Sequence, residues 1–533
     1  MSGGLSLAGF AVTVAFFCLS LTPSLLPRAW LLQGMVSGIT AAMGYALGAT
    51  VGALAGLLWD PAARVRRVVW WVVLVGAPVL VVVFLWLGAR WQRALRARLG
   101  AEPLEAYDSL LIVTVAVLTF ALILLVARGL RLATHEVARL LGRFAPRPVA
   151  YCTGFVVVAA LAVSLVDRVV LDAMFAAADE TAAVTNDGTD SHVVTPASAL
   201  RSGGPFSLAG WETLGRQGRD FVGTGPSRDQ LAAFARRPAL EPIRVYVGLD
   251  SADTTRARAD LVVREMDRTG AFDRTALAVL IPTGTGWVNS AVADSLEYMY
   301  AGDTALVSMQ YSYLPSWISF LADRTEVIET SAALITAVRD RWAALPAATR
   351  PKLLIFGASL GTLGTEKAFG DVRSMIDGAD GVLLEGPTFA NPIRNELIAA
   401  RRPGTRIWDP IYDPQPVEFA ARAAELRAPV QPAPQVVYLQ NSSDPVVWWS
   451  PYLLVQKPDW LDEPRGPDLS PDMHWYPGIT FWQTTVDLAF AKSAPAGHGH
   501  VYGSGVVDGW AVLAPPPGWT TADTIRLRAL LDA

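Results

Sequence analysis

Residues Lys352 to Gly361 read KLLIFGASLG, an apolar run that leads directly into Gly357-Ala358-Ser359-Leu360-Gly361. A serine framed as G-x-S-x-G marks a nucleophile elbow. The turn from strand to helix is so tight that a Cβ at either glycine has no room. Leu353 to Phe356 supply the buried strand, and Gly361 to Phe369 (GTLGTEKAF) open a helix whose N-terminus points at the serine. The elbow thus commits this part of the chain to strand, sharp turn and helix in that order.

The flanking sequence repeats the alternation. Ile243 to Leu249 (IRVYVGL), Leu277 to Ile281, Ala305 to Gln310, Gly381 to Leu384 and Gln435 to Leu439 read as strands, with Ala257 to Arg268 and Thr325 to Trp342 as helices between them. Short apolar strands alternating with helices predict a mostly parallel sheet with helices on both faces. Two stretches, near 391–434 and 450–478, are too long and too rich in Pro, Trp and charge for simple connections, and read as cap insertions over the sheet edge. Aromatics in and beside them (Trp408, Tyr412, Trp448, Trp449, Trp460, Trp475, Tyr476) are core filling by default and pocket lining otherwise.

The front of the chain is a different body. Of 533 residues, 52% are hydrophobic and 17% charged, and the apolar excess is concentrated before residue 170. That part carries fourteen arginines against six carboxylates, a balance of +8, so the remainder holds −12 of the overall −4. Five apolar segments (Leu5 to Leu21, Trp30 to Trp59, Val68 to Leu87, Ser109 to Val126, Val149 to Val166) lie near the ~20 residues needed to cross a hydrocarbon core. The N-terminus lacks the positive n-region of a secretory signal and reads as a retained span. Gly44, Gly48, Gly52 and Gly56 form a ridge at a spacing of four, suited to packing against a neighbouring span or a second copy of the chain. Arginine placement, eight in one set of loops against five in the other, puts the acidic C-terminal half outside the cytoplasmic membrane of a multi-pass protein with five crossings. The domains drawn are 1–170 for the transmembrane helices, 171–238 for a linker and irregular lead-in, and 239–533 for the sheet domain.

Composition also narrows the chemistry. The basic residues are nearly all arginine and form no stripe, which argues against nucleic acid. Cys18 and Cys152 both fall in apolar runs, so the acidic half has no disulfide framework or cysteine metal site. No metal and no organic cofactor is called for.

A serine needs a base within hydrogen-bond reach and a carboxylate to orient that base. After an elbow of this kind the chain order is serine, acid, histidine. His135 and His192 lie upstream, leaving His474, His498 and His500; the last two sit in PAGHGHVYG, a glycine-flanked loop, with His498 preferred and His500 the alternative base. Asp444 follows the strand ending at Leu439 and is the candidate acid, whereas Asp409, Asp413 and Asp487 lack such a strand. The amide of Leu360 is one oxyanion donor, and Thr285 or Gly284 in PTGTGW supplies the other. PTGTGW as a phosphate cradle is disfavoured, because no G-K-[ST] follows it. Trp287, Tyr311, Tyr313, Trp448 and Trp449 are the candidate pocket.

Together, PTGTGW, SLEYMYAGDTALVSMQYSYLPSW, RPKLLIFGASLG and GHGHVY resemble a family of bacterial membrane α/β-hydrolase-like proteins with a multi-span N-terminal domain and a C-terminal catalytic-type domain. The resemblance covers nearly the whole chain. It implies an α-helical transmembrane domain followed by an α/β-hydrolase domain, with Ser359, Asp444 and a histidine of the GHGH loop at the triad positions. The expected activity is that of a membrane-anchored serine hydrolase or acyltransferase acting through an acyl-enzyme on an ester, a membrane lipid or lipid-linked molecule. The alternative is a catalytically degenerate binding or assembly module of the cell envelope; a transporter is disfavoured by the scarcity of charged residues within the spans.

Overall fold

The computed structural model describes residues 6–58, 63–103, 107–165, 185–313, 324–412, 416–426, 433–462 and 464–533. Leu5, Trp59, Val166, Asp413, residues 171–184 of the predicted lead-in and parts of the first predicted insertion lie outside them. The chain divides into two compact units. The first comprises Met1–Ala178, Trp449–Asp462 and Leu469–Phe490; the second comprises Asp179–Trp448, Glu463–Asp468 and Ala491–Ala533.

The first unit is built on helices α1 (Leu7–Ser20), α2 (Trp30–Leu58), α3 (Ala63–Arg98), α4 (Ser109–Leu141) and α5 (Arg147–Leu165). Among the described residues four helical stretches are long and apolar enough to cross a membrane: Trp30–Leu58, Arg67–Arg98, Ser109–Leu141 and Arg147–Ser164. The first predicted span is helical over only 14 residues, about 21 Å at 1.5 Å per residue. Glycines let α2 approach a neighbour on each side. A Cβ at Gly44 would stand 2.7 Å from the Val12 carbonyl and one at Gly48 2.5 Å from that of Ala8, while Gly34 and Gly38 face Val115 and Thr119 of α4. Of the two readings of the ridge, packing against a neighbouring span describes Gly44, Gly48 and Gly52, which face α1; Gly56 meets nothing within 4 Å among the described residues.

Much of the segment predicted as a cap over 450–478 belongs to this first unit instead. The reason is a buried polar network. Asp487, on the Ile479–Ala489 helix, accepts from Arg28 Nε at 3.0 Å and from the amides of Leu25 and Leu26, and Gln483 donates to the carbonyls of Ser20 and Thr22. Both members of the Arg28–Asp487 pair are almost fully buried. Asp487→Ala strands the arginine's charge and is expected to destabilise this unit by about 3–5 kcal/mol, read as a lowered Tm of the detergent-solubilised chain.

Among the described residues the second unit holds seven parallel strands: β1 (Ile243–Val247), β2 (Ala276–Ile281), β3 (Thr304–Met309), β4 (Lys352–Ala358), β5 (Gly381–Glu385), β6 (Val417–Ala420) and β7 (Val436–Leu439), in the order β1-β3-β2-β4-β5-β7-β6. Helices α6 (Thr255–Thr269), α7 (Ser290–Met299), α8 (Thr325–Ala343), α9 (Leu360–Phe369) and α10 (Val506–Leu513) accompany it. The strands are buried almost throughout, as sheets covered on both faces require. β6 was not anticipated: it is an edge strand inside the stretch read as the first cap. The lead-in drawn as a linker is also folded from residue 185 onward, and its Leu214, Phe221, Val222 and Leu231 join the main core. Two buried arginines hold it. Arg219 donates to the carbonyls of Asn186 and Gly188, and Arg244 of β1 donates to the Phe221 carbonyl and pairs with Glu297 at 2.7 Å.

Candidate active site

Ser359 directly follows β4, the middle strand of the sheet, and adopts φ 56°, ψ −120°, a conformation that residues with a Cβ rarely occupy. Both elbow glycines are sterically required. A Cβ at Gly357 would stand 2.8 Å from the Gly361 carbonyl, and one at Gly361 would stand 2.7 Å from the Ile281 carbonyl at the end of β2. The Ser359 N–H is tied at 2.8 Å to the carbonyl of Glu385, the last residue of β5. Leu360 opens α9, so its N–H is among the first-turn donors that a helix leaves unused.

Asp444 follows β7 and is fully buried. Its Oδ1 accepts from the Val446 amide at 2.8 Å, and its Oδ2 accepts from Tyr502 Oη at 2.8 Å and stands 2.7 Å from His500 Nδ1. An ionised carboxylate only accepts, so Nδ1 carries the proton and Nε2 is left as the basic nitrogen. His500 lies against Gly386, where an added Cβ would come 2.8 Å from Nδ1. Ser359 and His500 therefore converge on one step of backbone, Glu385-Gly386.

His498, the preferred base from sequence, goes elsewhere: its Nδ1 stands 3.0 Å from Asp468 Oδ2. Asp468 also accepts from Arg422 at 3.0 Å and from Ser443 Oγ at 2.9 Å. Burial pushes the Asp468 carboxyl up, but the nearby His498 ring and the bonds from Arg422 and Ser443 outweigh it and the net displacement is downward. Ser443 Oγ also receives the Gly499 N–H at 2.9 Å, fixing the turn between the two histidines. Ser443, Asp468 and Tyr502 escaped the sequence reading, since none has a motif of its own. His474 lies in the first unit.

The PTGTGW loop closes on itself through Thr283 N to Trp287 O at 3.1 Å and Gly286 N to Thr283 O at 2.9 Å, with Gly286 at φ 84°. It follows β2, and Gly361 of the elbow packs against the carbonyls of Ile281 and Pro282 that lead into it; the Thr285 carbonyl accepts from Gln310. The Trp287 ring carries the Lys492 ammonium 4.6 Å from its centroid. Tyr311 is buried, which pushes its hydroxyl pKa upward. Tyr313 donates to Asp250 at 2.9 Å. Trp448 donates to the Asn441 carbonyl at 2.9 Å and so buttresses the acid's own loop. Trp449 falls in the first unit, where it donates to Thr485. The pocket proposed from aromatics is thus partly structural.

Among known proteins, residues 243–527 match the model of a family described as the alpha/beta-hydrolase family, and residues 21–226 match the model of the alpha/beta-hydrolase family N-terminus. No curated protein and no solved structure matches the chain.

Proposed function

The chain belongs to the alpha/beta-hydrolase family, and from that premise we propose that it is a membrane-anchored serine hydrolase or acyltransferase acting on an ester of a membrane lipid or lipid-linked molecule. The observation that carries the reading is the Asp444–His500 contact of 2.7 Å beside a serine held at positive φ. In this reading His500 Nε2 takes the Ser359 proton as Oγ attacks the ester carbonyl, and Asp444 stabilises the imidazolium. The amides of Leu360 and of Thr285 or Gly284 receive the oxyanion; collapse releases the alcohol, protonated by His500, and leaves an acyl-serine. Water or an acceptor alcohol then resolves it. His500 replaces His498 as base because His498 is engaged by Asp468.

Incubating the full chain with a p-nitrophenyl acyl ester and mapping the mass adduct tests this. An acyl group on the Ser359 peptide supports the enzyme. Neither turnover nor adduct from folded protein favours the binding or assembly module.

Sidedness turns on α1. It runs beside α2 from Ser37, bonded to Ser20, to Gly52, packed on Ala8, which favours counting it with the four longer helices. Five crossings place the second unit outside the cytoplasmic membrane, so protease added to intact spheroplasts is expected to cleave it. Protection there, with cleavage after lysis, reverses the assignment.

A further inference from the structure

Glu385 is a second buried carboxyl, on the strand beside the elbow, that the acyl-enzyme scheme does not use. It ends β5 in register with Ala358 on the elbow strand, and its carbonyl holds the Ser359 amide. The residue is only 7% exposed, and Oε2 has no hydrogen-bond partner among the described residues. A carboxylate oxygen so placed has lost its water without gaining a donor. The charged groups around it are Lys492 from the Ala491–Ser493 turn and Asp444 from the loop after β7; Tyr502 also feels its charge, and His500 lies against the next residue, Gly386. Burial dominates, with Asp444 adding to it and Lys492 opposing, and the carboxyl is pushed from its ordinary 4.5 up to about 8.

We propose that Glu385 is a positioning residue of the reaction: it keeps its proton while Ser359 reacts, so that the charge developing at the elbow meets a neutral neighbour, and its ionisation shuts the site. The inference rests on the acyl-enzyme reading above. The sign follows from the direction of the shift. Below about pH 8 the carboxyl is neutral and the site runs; above it, a second carboxylate near Asp444 opposes the oxyanion and the rate falls. The same shift acts on folding. The unfolded chain releases this proton near 4.5 and the folded chain near 8, so the group's stabilisation is full below the first value and is lost as pH rises to the second.

The test is the rate at which a small uncharged fluorophosphonate phosphonylates Ser359 in the full chain, from about pH 6 to about pH 10, in wild type and Glu385→Gln. Wild type is expected to lose about tenfold per pH unit above the transition, as one ionisation requires. Glu385→Gln, of the same shape and unable to ionise, is expected to lack the alkaline fall. A wild-type profile with no such fall, or the same fall in Glu385→Gln, overturns the proposal. Melting supplies a readout independent of chemistry: relative to Glu385→Gln, wild type is expected to lose Tm as pH rises from about 5 to about 8, and a constant difference overturns the proposal. Should Glu385→Gln not fold, wild-type melting alone must show that decline. No phosphonylation of wild type at any pH is a different result: it sinks the acyl-enzyme reading and this inference with it.

Discussion

Ser359→Ala is expected to lower ester turnover by the full chain by on the order of 10⁴ to 10⁶. The size follows from what is removed. Without the hydroxyl no acyl-enzyme forms, and the amides beside the elbow are left to polarise an ester that only water can attack. Alanine meets the same backbone strain at φ 56° as serine does, so the variant is expected to fold, and its melting curve should overlay that of wild type. A comparable loss accompanied by unfolding indicates a structural effect, and retained turnover indicates another nucleophile.

His500→Ala is expected to cost on the order of 10³ to 10⁴ in the same assay, and His498→Ala no more than about tenfold. The two residues are two positions apart, yet they serve different carboxylates: His500 faces Asp444 at 2.7 Å and His498 faces Asp468 at 3.0 Å. Removing His500 leaves Ser359 without a base and Asp444 with an unmatched charge held, among the described residues, by Tyr502 and the Val446 amide. Losing His498 loosens the loop without removing a proton acceptor from the nucleophile. If the two losses come out in the opposite order, the base is His498 and the observed pairing is not the working one.

This split was beyond the sequence for a physical reason. GHGH presents both rings from one loop, and the direction each takes is set by Gly499 at φ 53° and by the bond from its N–H to Ser443. Asp468 comes from an insertion whose position is a matter of tertiary packing, and no local spacing encodes it. The elbow, by contrast, was legible because its demands are local: apolar strand, glycine, serine, glycine, helix. Six of the seven strands were legible as apolar runs, whereas β6 is four residues long with Glu418 inside it and sits within a stretch rich in proline. The destination of the second insertion was hidden as well, since Asp487 and Gln483 find their partners at Arg28, Ser20 and Thr22 more than 400 residues away. Glu385 lies one residue past the strand read as Gly381 to Leu384, and only the fold shows it buried at the end of the strand paired with the serine's own.

The most direct measurement is mass spectrometry of the full-length protein after exposure to a fluorophosphonate, with the modified peptide sequenced. A single adduct on Ser359 in wild type, slowed by orders of magnitude in His500→Ala, is the predicted result. A folded protein that takes up no label, or takes it up at another residue at the same rate when Ser359 is alanine, contradicts the account.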